Sequence, residues 1–303
     1  MTGSFDIQVN GYGGVDYNQD NLTADDLHRS CEMLRADGVN GILATIVTEA
    51  PEKMVARLQR LVALREADPL IREVIAGLHV EGPFISPLDG FRGAHPLDAV
   101  CQADENLANQ LLDAGAGLVR IFTLAPEQDP TGRVTRLMKK NGVVISAGHT
   151  DASLDELRAG IDAGLSMMTH LGNGCPMTMN RHDNIIQRAL FLREHLWLSF
   201  IADGVHIPYP TLRNYLDLAG ERALITTDAM TAAGLGPGLY RISRWEVLVK
   251  DDLAAWAPDG SHLLGSAMSF PHVIRNLSQQ VGLSDHHIQT LISEAPRQSI
   301  GIA

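Results

Sequence analysis

Short β-branched and apolar runs alternate along the chain with longer stretches whose apolar positions recur every three or four residues. Eight runs read as strands: Phe5 to Val9, Gly41 to Val47, Val74 to Val80, Leu118 to Leu124, Val143 to Ala147, Ser166 to Leu171, Trp197 to Ala202 and Ala223 to Thr227. A helix is expected from Thr23, where Thr-Ala-Asp-Asp has the form of a helix start and Leu27, Cys31 and Leu34 share a face. A second runs from Pro51 through Met54, Val55, Leu58 and Leu61 to Leu64, and a third from Ser153 to Ala163, with Leu154, Leu157 and Ile161 aligned. Strand–helix alternation implies a parallel sheet with helical crossovers, and eight strands point to an α/β fold of the closed (β/α)8, TIM type. No GxGxxG follows the first strand, as a dinucleotide-binding sheet would require. The tail breaks the pattern. Trp245 to Val249, Asp251-Asp252 and Trp256 to Leu264 read as a polar hairpin turning at Pro258-Asp259-Gly260, with helices expected at Phe270 to Val281 and Ser284 to Ala295.

The chain's 303 residues suit one barrel domain spanning 1–303, with about 245–265 as an appended hairpin. A formal net charge of −12 argues against a nucleic-acid partner, which needs a basic face, but not against a small anion held by a few local donors. Cys31, Cys101 and Cys175 are widely spaced and form no CxxC pair, which suits free thiols in a reducing compartment. The opening MTGSFDIQVNG lacks the basic and apolar regions of a signal peptide, and no apolar run approaches the ~20 residues of a membrane span. A cytoplasmic protein without membrane partners is expected.

Polar residues crowd the ends of the expected strands. The first ends in Gln8-Val9-Asn10-Gly11, the third in His79-Val80-Glu81-Gly82-Pro83, and the fifth in Gly148-His149-Thr150. The sixth ends in Thr169-His170-Leu171, the seventh in Asp203-Gly204-Val205-His206, and the eighth in Thr226-Thr227-Asp228-Ala229. In a β/α barrel that rim is where the chemistry sits. One carboxylate and two imidazoles suit a borderline divalent ion, so Glu81, His149 and His170 are the expected ligands of one metal. Three protein ligands leave a position for water, whose pKa the ion lowers toward ~7. Asp228 stands where a general base should stand. Taken singly, Glu81 reads as a turn residue, Asp228 as a helix N-cap and each histidine as a structural residue. All these readings must hold together for the site to vanish. His28, His182, His195, His262, His272, His286 and His287 have no such placement and read as surface or packing residues; Met167-Met168 reads as strand core.

The same segments resemble N-acetylglucosamine-6-phosphate deacetylases of the amidohydrolase superfamily. His79-Val80-Glu81-Gly82-Pro83-Phe84 is similar to the family's HxEGPF, Gly148-His149-Thr150-Asp151-Ala152 to its GHT/S-x-A, and Thr169-His170-Leu171-x-Asn173 to its THLxNAM. Asp6-Ile7-Gln8-x-Asn10-Gly11, Asp203-Gly204-x-His206, Thr227-Asp228-Ala229-Met230 and Leu264-Gly265-Ser266 extend the likeness over nearly the whole chain, in the family's order. The resemblance implies hydrolysis of the N-acetyl group of an amino sugar, usually its 6-phosphate. It implies that Glu81, His149 and His170 carry the metal, that Asp228 is acid and base, and that His95 polarises the amide carbonyl. Asn173, the backbone of Gly174 and His206 would contact the sugar or its phosphate. Arg181, eight residues after Asn173, would bind phosphate across a homodimer interface.

Four features depart from the family pattern. Gln8-x-Asn10 replaces the His-x-His of many amidohydrolases; neutral amides are poor zinc ligands, so a single ion is expected. Asn173-Gly174-Cys175 replaces NAM, and His182-Asp183-Asn184 follows Arg181 where the family has Glu-Pro-Gly. In relatives a β-sandwich segment precedes the first barrel strand, and the resemblance leads to the expectation that it is largely absent here. Zinc is the first choice of ion, with iron(II), manganese and cobalt compatible. Two alternatives stay open: an amidohydrolase for a different N-acyl substrate, phosphorylated or not, and a non-catalytic sugar-binding relative.

Overall fold

The computed structural model describes residues 3–242, 245–260 and 262–302. Residues 1 and 2 of the opening segment and residue 261 of the expected tail hairpin lie outside the described residues. Eight parallel strands follow one another in chain order: β1 (Ser4–Val9), β2 (Val39–Val47), β3 (Ile75–Glu81), β4 (Val119–Leu124), β5 (Val144–Ala147), β6 (Leu165–Met168), β7 (Trp197–Ile201) and β8 (Ala223–Thr226). Each pairs in parallel with its neighbour, with register shifts at several of the ladders; between β1 and the segment after β8 the ladder is reduced to a single bridge, Val9 to Ala229. The result is a nearly closed (β/α)8 barrel.

The helices begin where the sequence places good caps. Thr23 accepts a hydrogen bond from Asp26 N at the start of α1 (Ala24–Ala36), whose buried stripe is Leu27, Ser30, Cys31 and Leu34. Pro51 opens α2 (Pro51–Ala67), and Ser153 with Glu156 forms a reciprocal capping box on the helix Leu154–Ala163. A short helix, α3 (Pro69–Val74), runs into β3, so Val74 ends a helix rather than starting a strand. Asp68 drives this by accepting from Leu70 N and Ile71 N beside Pro69.

Alternating strand positions stack the barrel interior in layers. Phe5, Ile7, Leu43, Ile121, Met167, Trp197 and Leu224 form an apolar floor. Two residues further along the strands the inward positions turn polar. There His79 Nε2 lies 2.7 Å from Thr123 Oγ1, Thr123 Oγ1 lies 2.8 Å from Thr169 Oγ1, and Ser146 Oγ lies 2.6 Å from Thr169 Oγ1. His79 Nδ1 meets Ile7 O at 3.0 Å, and burial pushes this imidazole down to about 4, so it is a neutral core residue.

The tail differs from the expected hairpin. It folds as a four-stranded antiparallel sheet of β9 (Gly238–Ile242), β10 (Trp245–Val249), β11 (Ala254–Trp256) and β12 (Leu263–Ser266). The expected run Trp256 to Leu264 is thus two strand ends with their turn. β9 follows the glycine-rich Gly234-Leu235-Gly236-Pro237, which reads as loop in isolation. The sheet has its own apolar cluster, including Val247, Val249, Ala255 and Leu264, against which Ala94 packs. It joins the barrel rim directly, because Ser266 N donates to Asp228 O at 3.1 Å and Met230 N to Ser266 O at 2.9 Å.

Candidate metal centre and active site

The strand ends converge above the polar layer. Glu81 closes β3, and its Oε1 lies 3.0 Å from His170 Nε2, 3.3 Å from His149 Nε2 and 3.1 Å from Gln8 Nε2. His95 Nε2 lies 3.2 Å from His149 Nε2, and Glu81, His95 and His149 can each offer a ligand atom within 4.8 Å of one another. That compact trio contains His95, expected as a carbonyl-polarising group, rather than His170. His170 belongs to the same cluster through Glu81 and through an edge-on ring contact with His149, with centroids 4.9 Å apart.

Local backbone geometry aims these side chains. His149, His170 and Asp228 all have positive φ, at 51°, 29° and 49°. Non-glycine residues seldom adopt this left-handed region, and their occurrence together at three strand ends marks functional strain. At His170 the turn is held by Ser199, whose hydroxyl accepts from His170 N at 2.7 Å and donates to Met168 O at 3.1 Å. His149 is fixed from its other nitrogen: Nδ1 donates to Phe91 O at 3.0 Å, which turns Nε2 toward Glu81. The chain closes tightly on this ring at two glycines. A Cβ on Gly93 would come within 2.9 Å of its Cε1, and one on Gly174 within 2.8 Å of its Nδ1.

The electrostatics follow from burial and neighbours. Burial alone would raise the Glu81 carboxyl, but hydrogen bonds and charge from His149 and His170 pull it well below the usual carboxylate range. For His170, burial opposes the charged form, and Glu81 and then Asp228 outweigh it. Burial, then His149, pushes His95 down to about 3, so it is a neutral imidazole at neutral pH. Asp228 is raised by burial, with Glu81 adding and His170 opposing, while Asn10 Nδ2 donates to its Oδ1 at 2.8 Å.

The donor set fits a divalent ion. Two imidazoles beside one buried, ionised carboxylate suit a borderline cation. Buried polar atoms without a protein partner also gather here: His170 Nδ1, Gln8 Oε1 and Asn10 Oδ1.

The remaining expected residues lie on the segments that follow β6 and β7. Asn173 and Gly174 follow His170 directly, and Asn173 donates through both N and Nδ2 to His170 O, at 2.9 and 3.1 Å. His206 Nδ1 lies 2.5 Å from Asp203 Oδ2. Burial would raise Asp203, but the charge and hydrogen bond of His206 bring it below its ordinary value. Arg181 is exposed in the segment after Asn173 and has no acidic partner among the described residues. The loop after it is pinned instead by Arg188, which bonds Asp183 at 2.7 Å and Asp151 at 3.2 Å. Sequence patterns gave no weight to Asn10, Asp203 or Phe91 O as supports. Their signal is adjacency to the strand-end residues, which motif spacing alone does not resolve into contacts.

No family model matches the chain. The N-acetylglucosamine-6-phosphate deacetylase of Bacillus subtilis is 30% identical over 308 residues, spanning 100% of this chain and 75% of its own. An N-acetylgalactosamine-6-phosphate deacetylase of Escherichia coli is 29% identical over 98% of this chain and 77% of its own. Among solved structures, N-acetyl-D-glucosamine-6-phosphate deacetylase of Mycobacterium smegmatis, a mutant in complex with N-acetyl-D-glucosamine-6-phosphate, superposes with a TM-score of 0.89 and 30% identity, covering 99% of this chain and 77% of that one. This chain is an amidohydrolase of the N-acetylglucosamine-6-phosphate deacetylase family.

Proposed function

We propose that this protein removes the N-acetyl group from N-acetylglucosamine 6-phosphate, or a close amino-sugar phosphate, at one divalent ion held by Glu81, His149 and His170. The observation that carries the proposal is the meeting of both histidine Nε2 atoms at buried Glu81 Oε1, 3.3 and 3.0 Å away, with the half-buried Asp228 carboxyl within electrostatic reach of Glu81 and His170. When bound, the ion supplies Lewis-acid chemistry: it acidifies water and polarises the acetamide. Asp228, a half-buried carboxyl raised chiefly by desolvation, takes the proton of the attacking water and returns it to the amine as the C–N bond breaks. His95, neutral at working pH, donates an N–H to the amide oxygen as negative charge develops on it. Gln8 and Asn10 stand where other amidohydrolases place histidines, and their amides hydrogen-bond Glu81 and Asp228, in keeping with a single ion.

Asn173, the backbone of Gly174 and His206 bind the sugar and its phosphate, with Asp203 holding the His206 ring. Arg181 supplies a bidentate phosphate contact to the partner site of a homodimer. Two features support that placement. Arg181 is exposed, and Met177 on the same segment is 103% exposed, as suits a segment that meets a second copy. We further propose zinc as the resident ion, one barrel domain over residues 1–303 with β9–β12 appended, and a cytoplasmic setting. Among the described residues no helix is long and apolar enough to cross a membrane.

Acetate release from N-acetylglucosamine 6-phosphate, N-acetylgalactosamine 6-phosphate and plain N-acetylglucosamine tests the reading. It requires a kcat/KM for one of the phosphorylated sugars at least tenfold above that for the plain sugar. Preference for the plain sugar would contradict the phosphate pocket, and no release from any of them by metal-loaded protein would contradict the activity.

A further inference from the structure

The first barrel strand carries a second carboxylate that the chemistry above leaves unused. Asp6 lies on β1, is buried, and turns both oxygens toward the end of β8. Its Oδ1 accepts from the Thr226 hydroxyl at 2.5 Å and from Gln8 N at 3.2 Å. Its Oδ2 accepts from the Thr227 hydroxyl at 2.5 Å, and Thr227 N lies 3.3 Å from both oxygens. Thr227 Oγ1 in turn accepts from Ala229 N at 3.1 Å. Asp228 therefore sits in a small turn whose preceding residues bond the Asp6 carboxylate directly and whose following residue bonds Thr227 Oγ1, and its own φ is 49°.

The location matters because this is the weak seam of the barrel. The other neighbouring strands share ladders, whereas β1 and the segment after β8 meet at one bridge, Val9 to Ala229, beside an Asn10 N to Ala229 O bond of 2.7 Å. A seam can be closed with apolar side chains at no electrostatic cost. Here it is closed by a carboxyl that burial pushes up to about 6, so an anion is kept in the core at neutral pH. Such local conflicts with stability tend to be found at functional sites. Asn10, directly after the same strand, holds the Asp228 carboxylate itself at 2.8 Å. β1 and the residue after it thus bond to the backbone before Asp228 and to its side chain.

We propose that Asp6 is a positioning residue for deacetylation: by clasping Thr226 and Thr227 across the seam, it sets the strained turn from which Asp228 reaches the reacting amide. This rests on Asp228 being the proton-transfer group. A clasp that served stability alone would leave kcat intact in any variant that folds and binds metal.

The test compares metal-loaded Asp6→Asn, Thr227→Val, Thr227→Ser and Asp228→Asn on N-acetylglucosamine 6-phosphate. Displacing a reacting group by about 1 Å costs on the order of a hundredfold. Asp6→Asn and Thr227→Val are therefore expected to lower kcat about ten- to a hundredfold, with KM and metal stoichiometry close to wild type. Thr227→Ser, which keeps the hydroxyl, is expected to recover most of the kcat lost in Thr227→Val. A kcat within about twofold of wild type in folded Asp6→Asn or Thr227→Val overturns the positioning role, as does equal loss in the Ser and Val variants. If Asp6→Asn fails to fold, the Thr227 pair decides. Wild-type turnover in Asp228→Asn would instead overturn the proton-transfer assignment, which is a separate failure.

Discussion

Replacing Gly93 with alanine tests how closely the chain around His149 controls the metal centre. Gly93 has a φ of 60°, and a Cβ there would sit 2.9 Å from His149 Cε1 and 3.1 Å from Nδ1. To reach an ordinary 3.4 Å contact, the ring must retreat by about half an ångström. It has little space to do so, because the backbone at Gly174 closes on the same ring and Phe91 O holds Nδ1 at 3.0 Å. The left-handed backbone alone costs alanine about 1 kcal/mol. Disturbing a ligand's supporting contacts typically weakens metal binding by ~10- to 100-fold, or roughly 1.4 to 2.7 kcal/mol. Gly93→Ala is therefore expected to raise the dissociation constant for the divalent ion by about that factor. Activity should be lost at limiting metal and partly regained when the ion is in excess. Competition against a chromogenic chelator gives the affinity, and acetate release across a metal titration gives the activity. An affinity within about twofold of wild type would refute the claim that the loop carrying Gly93 fixes the ligand geometry.

Glu81→Gln should lower bound metal to well under one ion per chain while the fold survives, as read by elemental analysis and circular dichroism. Asp203→Asn should raise KM for the phosphorylated sugar several-fold, with a smaller change for the plain sugar, because it loosens His206; steady-state kinetics on both sugars would show it. Asp6 gives a pH signature. Its folded-state pKa of about 6 lies above the ordinary 3.8, so its contribution to stability is fully present below 3.8 and is lost as pH rises through about 6. Two pKa units at 1.36 kcal/mol each predict that metal-free wild type loses roughly 3 kcal/mol relative to Asp6→Asn between about pH 4 and pH 7. Parallel urea-unfolding stabilities over that range would contradict it. Arg181→Ala should raise KM for the phosphorylated sugar at least tenfold and leave turnover of the plain sugar unchanged, and identical kinetics on the two sugars would exclude a phosphate contact.

Much of the fold was legible because its signals are local. The eight strand runs, the Thr23 cap on α1 and the Ser153–Glu156 box on the helix Leu154–Ala163 each follow from a handful of adjacent residues. Where the sequence misled, a nearby polar group or a glycine cluster had decided the matter. Asp68 captures Leu70 N and Ile71 N and makes 69–74 helical, and Gly234-Leu235-Gly236-Pro237 hides the strand that follows it. The strand-end position of Glu81, His149, His170 and Asp228 was visible from spacing, since in a parallel barrel every such end lies on one rim. What spacing could not supply is contact. The 3.2 Å approach of His95 to His149 joins a long loop to a strand end 54 residues away. The Asp6 clasp joins residues 220 positions apart, and the bond from Asn10 to Asp228 spans 218. Such pairings depend on barrel closure, which is a property of the whole chain. The four-stranded tail was legible only in part, because its strands are short and gain their apolar partners from one another and from Met230 and Ala232 on the rim.

The central claim is that one metal ion at Glu81, His149 and His170 drives amide hydrolysis of an amino-sugar phosphate. The most direct test strips the purified protein with a chelator, titrates zinc back, and follows acetate release from N-acetylglucosamine 6-phosphate. The account predicts no release without metal and a linear return of activity that saturates at one ion per chain. Undiminished release from metal-free protein, or saturation only at two ions per chain, would contradict it.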